Sequence, residues 1–207
     1  MAKKEAPISA LEAYLPPDTY EPVVHYLQHY QVHLTVARER KSILGDYRHR
    51  LPGQNHRISV NGNLNPYSFL ITLLHELAHL LTFEKHGNRV QSHGREWKTF
   101  FGQLLAQFIQ HDVFPDDIKQ ALLRSLANPA ASSCADEVLL RVLKQYDGKK
   151  EGHLFVESIP EGSLFQTHDG RVFRKGPKLR KRFRCEEVAT RRMYLFSPVY
   201  EAQMVEE

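Results

Sequence analysis

From Ser68 to His86, Glu84 and Lys85 aside, every residue is apolar except Ser68, Thr72, His75, Glu76, His79, Thr82 and His86, which recur at spacings of three and four with Glu76 beside His75. That spacing sets them on one line along a helix. The rest of the circumference, Phe69, Leu70, Ile71, Leu73, Leu74, Leu77, Ala78, Leu80 and Leu81, predicts a helix sunk in a core. Asn65-Pro66 supplies an N-cap residue and a proline at the first helical position, and Gly87 supplies the stop.

On either side the period changes. Residues 20–30, after Pro16-Pro17-Asp18, place Val23, Val24, Leu27 and Tyr30 on one helical face. From Val32 the apolar positions alternate (Val32, Leu34, Val36), which predicts a strand, and two more short strands are expected at 45–47 and 57–60, with a turn at 61–63. Helices are expected over 92–110, 116–126 and 134–146. Residues 147–152, Asp-Gly-Lys-Lys-Glu-Gly, have the composition of a linker. Beyond them five short strands are expected, at 153–158, 164–167, 171–174, 179–185 and 193–199. The reading is an α+β chain: a helix-dominated domain over residues 1–147 holding a small three-stranded sheet, then a small antiparallel β appendage over residues 153–207.

At 207 residues, 42% hydrophobic and 25% charged, the chain suits one sizeable core and a small addition. Met1-Ala2-Lys3-Lys4-Glu5 has no apolar segment behind it and no run of 18 apolar residues occurs, so a cytoplasmic protein is expected, not a membrane-spanning one. Two cysteines, Cys134 and Cys185, cannot build a disulfide framework and read as reduced thiols.

The net charge of +4 gains meaning from its distribution. Arg171, Arg174, Lys175, Lys178, Arg180, Lys181, Arg182 and Arg184 fall in one stretch without Asp or Glu. A strand over 179–185 puts Arg180, Arg182 and Arg184 on one face, about 7 Å apart. Such a row suits the backbone of DNA, with Phe165, Phe173 and Tyr194 as stacking surfaces. The alternative is that the charges blunt an exposed edge strand.

The chemistry lies in His75-Glu76-Leu77-Ala78-His79. Histidines four apart stack one turn over the other and can share one zinc ion. Glu76 sits about 100° round the helix from His75, better placed to hold a water than to ligate, as the general base of an H-E-x-x-H site. A fortuitous polar stripe is the competing reading, but a solvated face normally carries Lys and several carboxylates. A catalytic zinc needs a third protein ligand. His86 is about 10 Å further along the same helix axis and too far; His93, beyond the Gly87 break, can turn back.

His75-Glu76-Leu77-Ala78-His79, followed by His93-Gly94-Arg95-Glu96-Trp97, resembles the SprT-like family of zinc metalloproteases, to which the eukaryotic DNA–protein crosslink protease Spartan belongs. The Asn65-Pro66 helix start resembles theirs too, and the likeness covers roughly residues 20 to 110. It implies a zincin-like fold, one Zn2+ per chain on His75, His79 and His93, Glu76 as base, and a protein substrate. An extended substrate would add beside an edge strand, for which residues 57–60 are the candidate. SprT-like proteins commonly carry a following zinc ribbon with two Cys-x-x-Cys knuckles. Here Cys185 is the one cysteine left in that region, so the appendage reads as a zinc ribbon that has lost its cysteines, with Phe165, Val172, Phe173, Phe183 and Leu195 as its core. The expected function is a zinc endopeptidase acting on DNA-associated proteins, with Arg174, Lys175, Arg180, Lys181, Arg182 and Arg184 on the nucleic acid. The alternative is a nucleic-acid-binding protein whose zinc is structural or non-proteolytic.

Overall fold

A computed structural model describes residues 7–40, 43–126, 136–148 and 152–205. They fall into two compact units, one ending at Asp147 and the other starting at Gly148.

In the first unit, helix α1 (Tyr20–His29) buries Val23, Val24 and Leu27. Strands β1 (Val32–Ala37), β2 (Gly45–Arg48) and β3 (His56–Asn61) form one mixed sheet in the order β1-β3-β2. β1 runs parallel to β3, with Leu34 opposite Ile58, and β2 runs antiparallel to it, with Gly45 opposite Val60. The expectation that residues 57–60 form an edge strand is therefore wrong. β3 is paired on both sides and buries His56, Ile58, Val60 and Asn61. The edges are β1 and β2.

Helix α2 (Pro66–His86) runs through the core. Its start is fixed by Asn65, whose side-chain oxygen accepts from the Ser68 N–H at 2.9 Å, and its end by Gly87 at φ 62°. Phe69, Leu70, Ile71, Leu73, Leu74, Leu77, Ala78 and Leu80 are fully buried. Each buried Leu or Phe side chain contributes about 1.5–3 kcal/mol, so packing holds this helix in place. Helix α3 (Arg95–Gln110) lies against it and buries Trp97, Phe101, Leu104, Leu105 and Phe108. It starts three residues later than its apolar pattern suggests, because residues 91–94 make a turn closed by Gly94 N–H donating to the Gln91 carbonyl at 3.0 Å. Helix α4 (Asp116–Leu126) and helix α5 (Glu137–Leu143) complete the unit, and Asp136 caps α5 by accepting from the Val138 and Leu139 N–H groups. The expected helix start at Cys134 lies outside the described residues.

The second unit is an antiparallel sheet of six strands, β4 (His153–Phe155), β5 (Leu164–Gln166), β6 (Val172–Leu179), β7 (Arg182–Glu187), β8 (Met193–Phe196) and β9 (Glu201–Val205), in the order β4-β9-β5-β6-β7-β8. β9 has no counterpart among the expected strands. The core is Val156, Ile159, Phe165, Phe173, Cys185 and Ala202, with Phe183, Tyr194, Phe196 and Tyr200 packed on it. Leu195, expected inside, is 56% exposed, because β8 turns it to the outer face beside Arg184. Cys185 is buried there, and burial raises its thiol pKa.

Candidate metal centre

Helix α2 presents His75 and His79 one turn apart, and the 91–94 turn brings His93 back over them. The three Nε2 atoms stand 3.2 Å (His75 to His79), 3.1 Å (His79 to His93) and 3.2 Å (His75 to His93) from one another. Mutual hydrogen bonding cannot satisfy such a triangle. An imidazole nitrogen either carries a proton or offers a lone pair, so it cannot donate to one neighbour while accepting from the other. Burial, and the repulsion that charged neighbours would exert, push the His75 pKa down to about 3 and that of His79 to about 4, and burial lowers that of His93. All three rings are thus neutral at neutral pH, and the tautomer with its proton on Nδ1 aims each Nε2 lone pair into the triangle. Tetrahedral nitrogen ligands about 2.0–2.1 Å from an ion lie roughly 3.3–3.4 Å apart, close to the spacing here, so the three histidines fit a zinc ion.

Trp97 supports the cluster from below. It is fully buried, its ring centroid lies 4.7 Å from that of His75, 5.5 Å from His79 and 4.8 Å from His93, and its Nε1 donates to the His75 carbonyl at 3.4 Å. His86 stays apart, packing against Phe100 with ring centroids 6.4 Å apart.

Glu76 is 6% exposed and lies against β2. Burial, reinforced by the Asp46 carboxylate and opposed by Arg40, drives its pKa up to about 8. A carboxyl group that changes protonation near neutrality suits general acid–base work.

Strand β2 brings further residues to the site that the sequence did not single out. The Tyr47 ring lies parallel to that of His79, centroids 6.4 Å apart and 3° between planes. Its hydroxyl is 3.0 Å from Nδ1 of buried His56. That nitrogen also accepts the Arg50 backbone N–H at 3.3 Å, so it carries no proton and the Tyr47 hydroxyl donates to it. The proton therefore sits on His56 Nε2, 3.2 Å from Glu84 Oε1, though off the line of a hydrogen bond. Glu84, on α2, is held in turn by Arg50 at 3.2 Å. Nothing in the spacing of these residues along the chain marks them, since they meet only when β2, β3 and α2 assemble.

The basic residues of the second unit are arranged differently from the expected row. Leu179 ends β6, Arg180 and Lys181 make the two-residue turn, with Arg180 at φ 51°, and Arg182 begins β7. Arg182 and Arg184 share one strand face; Arg180 does not join them. Arg174, Lys178, Arg180, Lys181, Arg182 and Arg184 are all exposed. Lys175 is not available to nucleic acid: it is 5% exposed, and its ammonium donates to the carbonyls of Glu157, at 3.1 Å, and Ile159. Its side chain points inward, over the Phe183 ring. The expected stacking surfaces fail for the same reason. Phe165 and Phe173 lie in the core, and Tyr194 is covered by the Arg171 guanidinium, 4.6 Å from its ring centroid.

An H-E-x-x-H helix beneath a small mixed sheet, with a third histidine returning from the turn before the next helix, defines a zincin-like metallopeptidase. Residues 19–118 match the SprT-like family of H-E-x-x-H zinc metallopeptidases, and the chain carries a SprT-like domain over that range. No curated protein and no solved structure matches the chain. Among the described residues no helix is long and apolar enough to cross a membrane.

Proposed function

We propose that this chain is a zinc-dependent endopeptidase that cleaves proteins associated with DNA. The observation that carries the peptidase reading is the triangle of neutral imidazoles on His75, His79 and His93 with the buried Glu76 beside it. One zinc ion, held by those three side chains, would supply Lewis-acid polarisation of the scissile carbonyl and acidify a water at its remaining position.

The chain's own residues do the rest. Glu76 takes the proton of the attacking water and passes it to the leaving amine, which requires a carboxyl group able to hold and release a proton near neutral pH. Its burial excludes competing water. The substrate backbone adds beside β2, the edge strand that runs next to Glu76, where the unpaired side of the ladder offers N–H and C=O groups to an extended chain. The exposed cations of the β6–β7 hairpin, Arg174, Lys178, Arg180, Lys181, Arg182 and Arg184, support the DNA part of the reading. Without exposed aromatics in that group, contact with phosphates is favoured over stacking on bases.

The test is cleavage of a labelled histone, as a DNA-binding protein, by the zinc-loaded chain with and without single-stranded DNA. Wild type is expected to cleave, faster with DNA, and Glu76→Gln is expected to keep its zinc and lose cleavage. Equal cleavage by the two proteins would remove Glu76 from the mechanism; equal rates with and without DNA would remove the nucleic acid.

A further inference from the structure

Gly45 is the first residue of β2, an edge strand of the first sheet, and a glycine in a strand often marks a close approach by another group. Its φ is not positive, so the backbone does not ask for glycine. Space does. A Cβ at Gly45 would collide with Glu76 Oε1, and would lie 2.9 Å from Glu76 Cγ and 2.8 Å from Thr72 Cγ2.

Neither wall of this notch can yield without consequence. The Thr72 hydroxyl donates to the Ser68 carbonyl at 2.8 Å, which fixes its rotamer and leaves the methyl towards Gly45. The strand is pinned as well. Gly45 pairs with Val60, and the Asn61 N–H donates to the Leu44 carbonyl at 2.9 Å. The Arg40 guanidinium donates to Asn61 Oδ1 at 2.7 Å, Ser59 Oγ at 2.9 Å and the Leu44 carbonyl at 3.3 Å, and Asn61 Nδ2 donates back to the carbonyls of Arg40 and Ile43. Of the groups around the notch, the Glu76 side chain has the most freedom to move.

We infer that Gly45 is a positioning residue for Glu76: the missing side chain is the recess that holds the carboxylate in place beside the histidine cluster. The inference rests on the reading of Glu76 as the base. A methyl group at Gly45 turns Glu76 into another rotamer, and a displacement of about 1 Å costs on the order of 100-fold in rate. The nearest atoms to that methyl belong to Glu76 and Thr72, so zinc binding is expected to stay as it is.

The experiment compares wild type, Glu76→Gln, Gly45→Ala and Gly62→Ala as full-length chains in the labelled-histone assay, with zinc affinity measured by chelator competition. Gly62 is the steric control, since a Cβ there meets Val36 Cγ1 at 2.6 Å and Tyr14 Cε1 at 3.3 Å, away from Glu76. Gly45→Ala is expected to lower kcat about 100-fold with KM and zinc affinity unchanged, whereas Gly62→Ala lowers the melting temperature and keeps kcat. A second readout needs no activity. In the zinc-free chain the loss of melting temperature caused by Gly45→Ala should shrink by at least half when Glu76→Ala is already present, because the obstructing side chain is gone. If Gly45→Ala alone fails to fold, folding of the double variant supports the same conclusion, and failure of both overturns it. Equal cleavage by wild type and Glu76→Gln overturns the assignment of the base. Additive losses of melting temperature, or a Gly45→Ala kcat within about threefold of wild type, overturn the role of Gly45 with that assignment intact.

Discussion

The burial of Glu76 has a cost that can be measured without any substrate. Its carboxyl pKa is about 8 in the folded, metal-free chain, and an unfolded Glu titrates near about 4.3. Below pH 4 both states are protonated and the residue has no pH-dependent effect. Between these values the unfolded chain has lost the proton while the folded one keeps it, so stability falls as pH rises, by about 1.4 kcal/mol per unit. From pH 5 to pH 8 the loss amounts to about 4 kcal/mol, a large part of a domain's total stability. Glu76→Gln cannot ionise and removes this slope. The three histidines are common to both proteins and cancel in the difference, and the constant cost of burying an amide cancels between the two pH values. Urea denaturation of chelator-treated wild type and Glu76→Gln at pH 5 and pH 8 is the assay. The variant's advantage is expected to grow by about 4 kcal/mol over that interval. A difference that does not change with pH would show that the carboxyl ionises at its ordinary pKa, and the argument for a buried base would fall.

Loss of any one imidazole leaves a two-ligand site, so His93→Ala should weaken zinc binding by more than about 100-fold, as read by chelator competition. Because burial holds the pKa of His75 to about 3 and of His79 to about 4 and lowers that of His93, protons compete with the metal less than they would at ordinary imidazoles, and zinc affinity should fall less from pH 7.5 to pH 5.5 than such imidazoles would give. Ordinary imidazoles would lose affinity steadily below about pH 6.5 over that range. Changing Arg182 and Arg184 to Ala should reduce the salt dependence of single-stranded DNA binding by about 1.4 in log–log slope. Lys175→Ala should leave that slope unchanged and lower the melting temperature instead, since its ammonium serves the carbonyls of Glu157 and Ile159.

What the sequence made legible is what depends on neighbours along the chain. The α2 helix, its Asn65-Pro66 start, its Gly87 stop and the His75-Glu76-His79 stack all follow from spacing and capping within about twenty residues. His93 needed the resemblance as well, because a return across a turn has no fixed period. What remained hidden depends on pairing across the fold. Alternation at 57–60 shows a strand with a buried face but not whether one or both of its edges are paired, and β3 is central. Arg180 and Lys181 carry no Gly, Asn or Asp to announce a two-residue turn, since Arg180 itself takes the left-handed conformation. That hidden turn broke the expected row of three arginines. Lys175 read as surface charge because sequence patterning cannot foresee backbone carbonyls of Glu157 and Ile159 waiting beneath the sheet.

The same geometry argues that the metal position is catalytic, not structural. A structural zinc site is closed by four protein ligands, whereas the described residues bring three ligand-type side chains together, His75, His79 and His93. A structural site would gain nothing from Glu76, whose burial makes the metal-free domain less stable at neutral pH, and nothing from a glycine at the start of β2 that leaves room for its side chain. A stability cost and a steric recess both centre on one carboxylate, which is the expected pattern when local stability has been traded for reactivity. Cobalt substituted for zinc should therefore show a visible absorption spectrum that changes when acetohydroxamate is added, because a fourth position is open to an exogenous ligand. A spectrum indifferent to acetohydroxamate, with one cobalt bound per chain, would mean that a fourth protein ligand closes the site.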